Sequence, residues 1–203
     1  MITVLAGVNG AGKSSIGGSA IRAAGGQYFN PDEESRSLLL ARPELTLDEA
    51  SGLVWRHGVE RLQQSISGNT NWVFETTLGG RTITRLLLQA AAQDRKVRIW
   101  YCGLESPEKH IERVRARVAR GGHDIPEHQI RYRYVASLKN LCRLAPCVEH
   151  LAVYDNSRDL DPSGRPSPRL LLKAEQGRII ALANNLPPWA RSIAGAFVPP
   201  DTP

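Results

Sequence analysis

Gly7-Val8-Asn9-Gly10-Ala11-Gly12-Lys13-Ser14 decides how the rest of this chain is read. The stretch satisfies the spacing G-x-x-x-x-G-K-[ST]. It follows the apolar run Ile2-Thr3-Val4-Leu5-Ala6 and leads through Ser14-Ser15-Ile16 into an alanine-containing segment. These flanks predict strand, loop and helix in that order, the setting in which such a loop holds phosphate. Its glycines permit a tight turn whose N–H groups converge on a β-phosphate, while Lys13 bridges β- and γ-oxygens and the Ser14 hydroxyl ligates Mg²⁺. The residues expected around a nucleoside triphosphate are therefore Gly7, Asn9, Gly10, Ala11, Gly12, Lys13, Ser14 and Ser15. A glycine-rich turn with a chance lysine is the competing reading, and the β character before it and helical character after it speak against that.

Working outward, further strands are expected at about Gln27 to Phe29, Trp72 to Glu75, Val97 to Cys102 and Leu151 to Tyr154, with helical segments between them. This β-α alternation predicts a mainly parallel sheet covered on both faces, with ligands outside the carboxyl ends of the strands. Thr46-Leu47-Asp48-Glu49 has the form of a capping box, after which Trp55, Val59, Leu62 and Ile66 are expected on one helical face. Ser106-Pro107 reads as a helix start, giving a helix to about Ala119 with an apolar stripe of Ile111, Val114 and Val118 and a basic one of Arg113, Arg117 and Arg120. Gly121-Gly122 ends it, and Pro126 restarts a helix carrying Ile130, Tyr134, Leu138 and Leu141 on one face, so the pair reads as a hinged lid. Beyond Ser157 the chain turns to Pro, Gly and Ser. Residues 170–174 and 178–181 then flank Glu175-Gln176-Gly177 as a hairpin. The expected organisation is one domain over residues 1–195, a lid over about 106–145 and a flexible tail over 196–203.

The 203 residues suffice for one α/β core. No run approaches the roughly 20 apolar residues of a membrane span, and the N-terminus lacks a basic-then-apolar leader pattern, so a cytoplasmic protein with no membrane partner is expected. Cys102, Cys142 and Cys147 lack metal-type spacing with histidines and read as reduced thiols. The formal net charge of +6 is local: between Lys109 and Arg143 there are nine Lys or Arg against three acids. Such a patch can meet nucleic acid, but it also suits polyphosphate held under a basic lid. The lack of an aromatic-interleaved stripe shifts weight to the lid and away from nucleic acid.

Asn30-Pro31-Asp32 follows the second expected strand, which brings Asp32 beside the loop, where a carboxylate can orient and deprotonate an attacking hydroxyl. The same residues also read as a turn and helix start. Trp72-Val73-Phe74-Glu75-Thr76-Thr77 is an apolar strand ending in an acid. Glu75 can bind Mg²⁺ through water or grip substrate hydroxyls, with Thr76 and Thr77 adding hydrogen bonds, and Gly79-Gly80-Arg81 either lets the backbone approach a ligand or merely turns the chain. A helix-capping acid is the alternative for Glu75. Arg117, Arg120, Arg131 and Arg133 flank one glycine break, where guanidinium forks can stabilise the charge of phosphoryl transfer; Arg120 and Arg133 are the choice for phosphate contact. Asp155-Asn156-Ser157 ends the fifth strand, where Asn156 meets a base or ribose or simply makes a turn.

These segments, taken in order, resemble the zeta-toxin family of P-loop kinases, a group that includes small proteins described as predicted ABC-type ATPases. The likeness covers about residues 1–157. It rests on the loop, on Asn30-Pro31-Asp32, on Phe74-Glu75-Thr76-Thr77-Leu78, and on residues 117–126 together with Arg131-Tyr132-Arg133-Tyr134. It implies a three-layer P-loop fold with an arginine-rich helical lid, and a kinase using ATP or GTP with Mg²⁺ on a small-molecule hydroxyl, in the best-known members that of UDP-N-acetylglucosamine. By the resemblance Asp32 is the catalytic aspartate and Lys13 the phosphate lysine. Glu75 becomes the substrate-site acid, and Arg120 and Arg133 the lid arginines. Family analogy adds an antitoxin protein over the nucleotide cleft. The chain is shorter than the best-known toxins. Two other classes stay open: a regulatory P-loop ATPase acting through a protein partner, and a nucleic-acid-directed kinase or binder using the basic window. An LSGGQ signature is missing, which counts against transporter use.

Overall fold

The computed structural model describes residues 1–159, 161 and 166–198. Strand β1 (Ile2–Ala6) is buried along its whole length and lies centrally in a six-stranded sheet ordered β2-β1-β3-β4-β5-β6. It pairs in parallel with β2 (Trp72–Thr76) and β3 (Val97–Gly103), and β3 pairs in parallel with β4 (His150–Asp155). The hairpin β5 (Arg169–Glu175) and β6 (Arg178–Leu182) then continues the sheet antiparallel. Gln176 and Gly177 both have positive φ at its turn, the backbone a two-residue hairpin needs to match strand twist. Ends of β1, β2, β3 and β4 therefore emerge on one edge, and every loop discussed below is carried there.

The expected strand at Gln27 to Phe29 shrinks to a single bridge between Phe29 and Phe74. Phe29 donates to Val73 O and accepts from Glu75 N, both at 2.9 Å, but Asn30-Pro31 opens a helix at once, so no second pair forms. That helix is α2 (Pro31–Ala41); Asn30 caps it, its side chain accepting from Asp32 N and Glu33 N. The loop after β1 passes through a π-helical turn (Ser14–Gly18) into α1 (Ser19–Ala23).

Helix α3 (Leu47–Ser67) starts in the expected capping box, with Thr46 and Glu49 bonded reciprocally. Its buried row is shifted, however: Ala50, Val54, Gly58, Leu62 and Ile66 face inward, whereas Trp55 is 53% exposed. Gly58 sets this rotation, because the Phe29 ring lies where a side chain there would stand, 3.0 Å from an ideal Cβ. Helices α4 (Arg81–Ala92), α5 (Pro107–Val118), α6 (Glu127–Leu144) and α7 (Pro188–Gly195) complete the architecture. The main core joins Ile2, Val4, Phe74, Ile99, Tyr101, Leu151 and Val153 of the sheet to Leu62, Leu87, Leu141, Leu144, Trp189 and Ile193 of the helices. Leu5, Trp100, Cys102 and Tyr154 line a cavity of about 200 Å³ together with Ile16, Gly17 and Ala20 of the segment after the loop.

A second, smaller cluster holds Val8 of the loop against Ile111 and Val114 of α5 and Ile125 and Ile130 beside and within α6. The α5 stripe is thus Ile111 and Val114, and Val118 is left half out. Phe197 packs on the main core; the expected tail from 199 onward, and residues 160 and 162–165 of the segment after Ser157, lie outside the described residues. No described helix is long and apolar enough to cross a membrane.

The C-terminal helix is keyed to the sheet by Trp189, whose ring lies 2.5 Å from where a Cβ on Gly103 would be and 6.3 Å from the Tyr101 ring. Trp189→Ala is expected to cost about 3–5 kcal/mol in urea denaturation. A loss below about 1 kcal/mol would mean that α7 contributes little to the core.

Candidate functional site

The loop between β1 and the first helical turn is held from outside by its carbonyls. Ala11 O accepts from Asn156 Nδ2 at 2.9 Å and from Cys102 Sγ at 3.0 Å, and Asn9 O lies 2.8 Å from His110 Nδ1, whereas Val8 O turns within the loop, accepting from Ala11 N at 3.1 Å and lying 3.5 Å from Lys13 Nζ. Turning the Asn9 and Ala11 carbonyls outward leaves the Gly10 and Gly12 N–H groups on the opposite edge of each peptide plane, the arrangement from which an anion nest is built. Gly12 is required here: its φ is +91°, and a Cβ would lie 2.6 Å from Asn156 Nδ2. Burial pushes the Cys102 thiol up to about 12, so it serves as a neutral donor.

Lys13 and Glu75 are both nearly enclosed, and Lys13 Nζ lies 3.4 Å from Glu75 Oε1. The other carboxylate oxygen accepts from Ser14 Oγ at 2.8 Å. A buried ammonium and carboxylate each need such a partner to offset lost hydration. Glu75 caps no helix, since α4 begins at Arg81 with Gly80 at its cap. Thr76 and Thr77 hydroxyls accept from the N–H groups of Leu78 and Gly79, shaping the turn after β2, while Arg81 is exposed in the first turn of α4 and Ser15 is exposed after the loop.

Asp32 sits in the first turn of α2, and its carboxylate is 3.9 Å from Arg117 Nη1. Arg117 also donates to His123 O at 2.7 Å, and its Nε is buried with no hydrogen-bond partner among the described residues. Arg133 donates from Nη1 to Asn9 Oδ1 at 2.8 Å; burial pushes its guanidinium pKa down, opposed by the charge of Asp32. Of the four arginines flanking the glycine break, Arg117 and Arg133 therefore turn towards Asp32 and the loop. Arg120 is exposed at the end of α5, and Arg131 pairs with Glu108 at 2.5 Å. Arg115 pairs with Glu127 and Arg113 donates to Arg158 O, so much of the basic window is engaged within the fold.

Helix α6 carries a polar row of which the sequence singles out only Arg133. Arg133 reaches Asn9, the Ser137 hydroxyl lies 3.1 Å from that of Tyr101, and Asn140 donates to Leu78 O at 2.8 Å and Gly80 O at 3.3 Å. These residues recur at i, i+4 and i+7, one face of a helix, and that spacing is the signal that could have found them. His110 was missed as well; it lies one residue before Ile111 and four before Val114, hence on the buried side of α5.

The class these features define is a nucleotide-binding P-loop domain of kinase-like α/β fold. The chain belongs to the AAA domain family, whose model matches residues 2–137. An uncharacterized protein of Haemophilus influenzae is 28% identical over 128 residues, 63% of this chain and 88% of that relative. Among solved structures, the AvrRxo1-ORF1:AvrRxo1-ORF2 complex with sulphate ions contains a chain of like fold. It superposes with a TM-score of 0.66 at 18% identity, covering 91% of this chain and 61% of that one. The same complex solved with ATP gives a TM-score of 0.66 at 18% identity, over 91% and 60%. This chain thus spans about three-fifths of the length of those chains.

Burial, with the charges of Lys13 and Arg113 assisting, holds the pKa of His110 down at about 4 against the bond to Asn9 O. A folded-state value below the unfolded one means that only the unfolded chain takes up this proton as pH falls through about 6.5, so the stability contributed above that pH is lost between about 6.5 and 4. Relative to His110→Asn, wild type is expected to lose on the order of 3 kcal/mol more across that window. Urea denaturation of both at a series of pH values checks this, and parallel curves would contradict it.

Proposed function

We propose that this chain is a phosphotransferase that moves the γ-phosphoryl group of ATP or GTP to a hydroxyl of a small molecule. The observation that carries this reading is the pairing of Asp32 with Arg117, 3.9 Å apart, beside a phosphate loop whose Asn9 holds Arg133. A carboxylate at the start of α2 can act on an incoming hydroxyl, and guanidinium groups beside it can stabilise a phosphoryl group in transfer, the two tasks an acceptor kinase must perform.

In the proposed reaction Asp32 orients the acceptor hydroxyl and takes its proton as oxygen bonds to the γ-phosphorus. The bond to the bridging oxygen breaks, and its electron pair leaves on the β-phosphate. Loop amides and Lys13 hold the β- and γ-oxygens, while Arg133 and Arg117 stabilise the charge that spreads over the transferring group. Arg120 is the remaining candidate, able to reach phosphate only through movement of the segment around Gly121-Gly122. Asn156, bonded to Ala11 O, supports the loop at the side where the nucleoside would lie. Ser14 and Glu75 offer a hydroxyl and a carboxylate oxygen, hard donors suited to Mg²⁺, which when bound neutralises phosphate charge. In this reading Glu75 belongs to the metal and the phosphate lysine more than to the acceptor, while Thr76, Thr77 and Arg81 remain acceptor-side candidates.

A zeta-toxin type of activity is the finer proposal, supported by the order of motifs from the loop to Arg133. Arg117, 3.9 Å from Asp32, offers the acceptor side a guanidinium able to pair with an anionic acceptor such as a UDP-N-acetyl sugar. The fold neighbour solved as a two-protein complex supports a search for a covering protein partner.

With labelled ATP and candidate acceptors, Asp32→Asn is expected to lower transfer by about 10² to 10⁴ while nucleotide binding persists. Lys13→Ala should abolish both binding and transfer. Undiminished transfer by Asp32→Asn would remove Asp32 as the base, and protein-stimulated ATP hydrolysis without any phosphorylated product would favour a regulatory ATPase.

A further inference from the structure

We infer that His110 is a positioning residue for phosphate binding: by holding the Asn9 carbonyl it aims the Gly10 amide and, through Asn9, seats Arg133. This rests on the nucleotide reading of the loop proposed above. His110 is 1% exposed and lies beside a cluster that is otherwise apolar, where Val8, Ile111, Val114, Ile125 and Ile130 meet. An aliphatic side chain would pack there without the cost of burying a polar ring, so the ring's hydrogen bond is the feature to explain. Its partner, Asn9 O at 2.8 Å, can only accept, and His110 therefore donates from Nδ1.

The peptide joining Asn9 to Gly10 is trans, which sends the Gly10 N–H away from His110 whenever the Asn9 carbonyl points towards it. Fixing one end of this peptide plane fixes the other. Gly10 has φ +83°, and an added Cβ would lie 2.8 Å from His110 O, so α5 and the loop meet with no room between their backbones. The same Asn9 accepts Arg133 Nη1 on its side chain, and the His110 ring meets the ring of Tyr134, next to Arg133 in α6, edge-on at 5.7 Å. One imidazole thus touches Asn9 at one end of the Asn9–Arg133 link and the neighbour of Arg133 in α6 at the other.

The test compares His110→Asn, His110→Gln and His110→Leu in the intact chain, reading affinity for a fluorescent ATP analogue with Mg²⁺ alongside thermal unfolding. Asn carries its amide nitrogen where Nδ1 stood, whereas Gln carries it where Nε2 stood. His110→Asn is expected to bind within about threefold of wild type, and the other two to lose about three- to tenfold. Wild-type affinity in folded His110→Leu overturns the inference. So does an Asn variant that binds no better than the Gln variant, a comparison that serves even where His110→Leu does not fold. Failure of wild type to bind the analogue overturns instead the nucleotide reading on which the inference stands.

Discussion

Backbone carbonyls of the loop after β1 are claimed by side chains from three other elements, and the rest of the site depends on that. Asn156 and Cys102 share Ala11 O, and His110 takes Asn9 O. A turn of this kind has many conformations open to it because glycine restricts so little, and each outward bond removes some of them. The shape is therefore set by β3, β4 and α5 before any anion is near. Preorganisation of this sort avoids paying for ordering at the moment of binding.

Charge in the site is balanced locally. Lys13 is buried against Glu75, which also receives the Ser14 hydroxyl, so one carboxylate serves both polar residues that close the loop. Asp32 and Arg117 form a looser pair, each more than a third exposed, in which electrostatic attraction is partly screened. The tight pair is enclosed and the loose one is open to solvent. An enclosed pair holds its partners fixed, whereas an exposed one can exchange them at little cost.

The architecture was legible because it is written in local rules: the apolar run of Ile2–Ala6, the Thr46–Glu49 box, the Ser106-Pro107 start and the hairpin around Gln176-Gly177 each depend on neighbours in sequence. Errors arose where a distant contact decided the outcome. Trp55 was expected inward, but Phe29 fills the space over Gly58 and turns α3 by about one residue. Gln27 and Tyr28 were expected to pair, yet Asn30-Pro31 begins a helix too soon. Loop, Asp32, Glu75 and Arg133 were all named from residue type and order, whereas the roles of Arg117, Asn140 and His110 depend on which helix faces which loop, information that no single segment contains.

Helix α6 has a further consequence. Arg133, Ser137 and Asn140 tie it in turn to the loop after β1, to Tyr101 of β3 and to the turn after β2. It acts as a splint laid across the strand ends, and sliding by a single residue would break all three ties together. The stretch between Ala119 and Pro126 that joins α5 to it is mostly exposed, with Ile125 as its buried exception. Ile125 shares a cluster with Val8, so this connection too is fastened to the loop after β1.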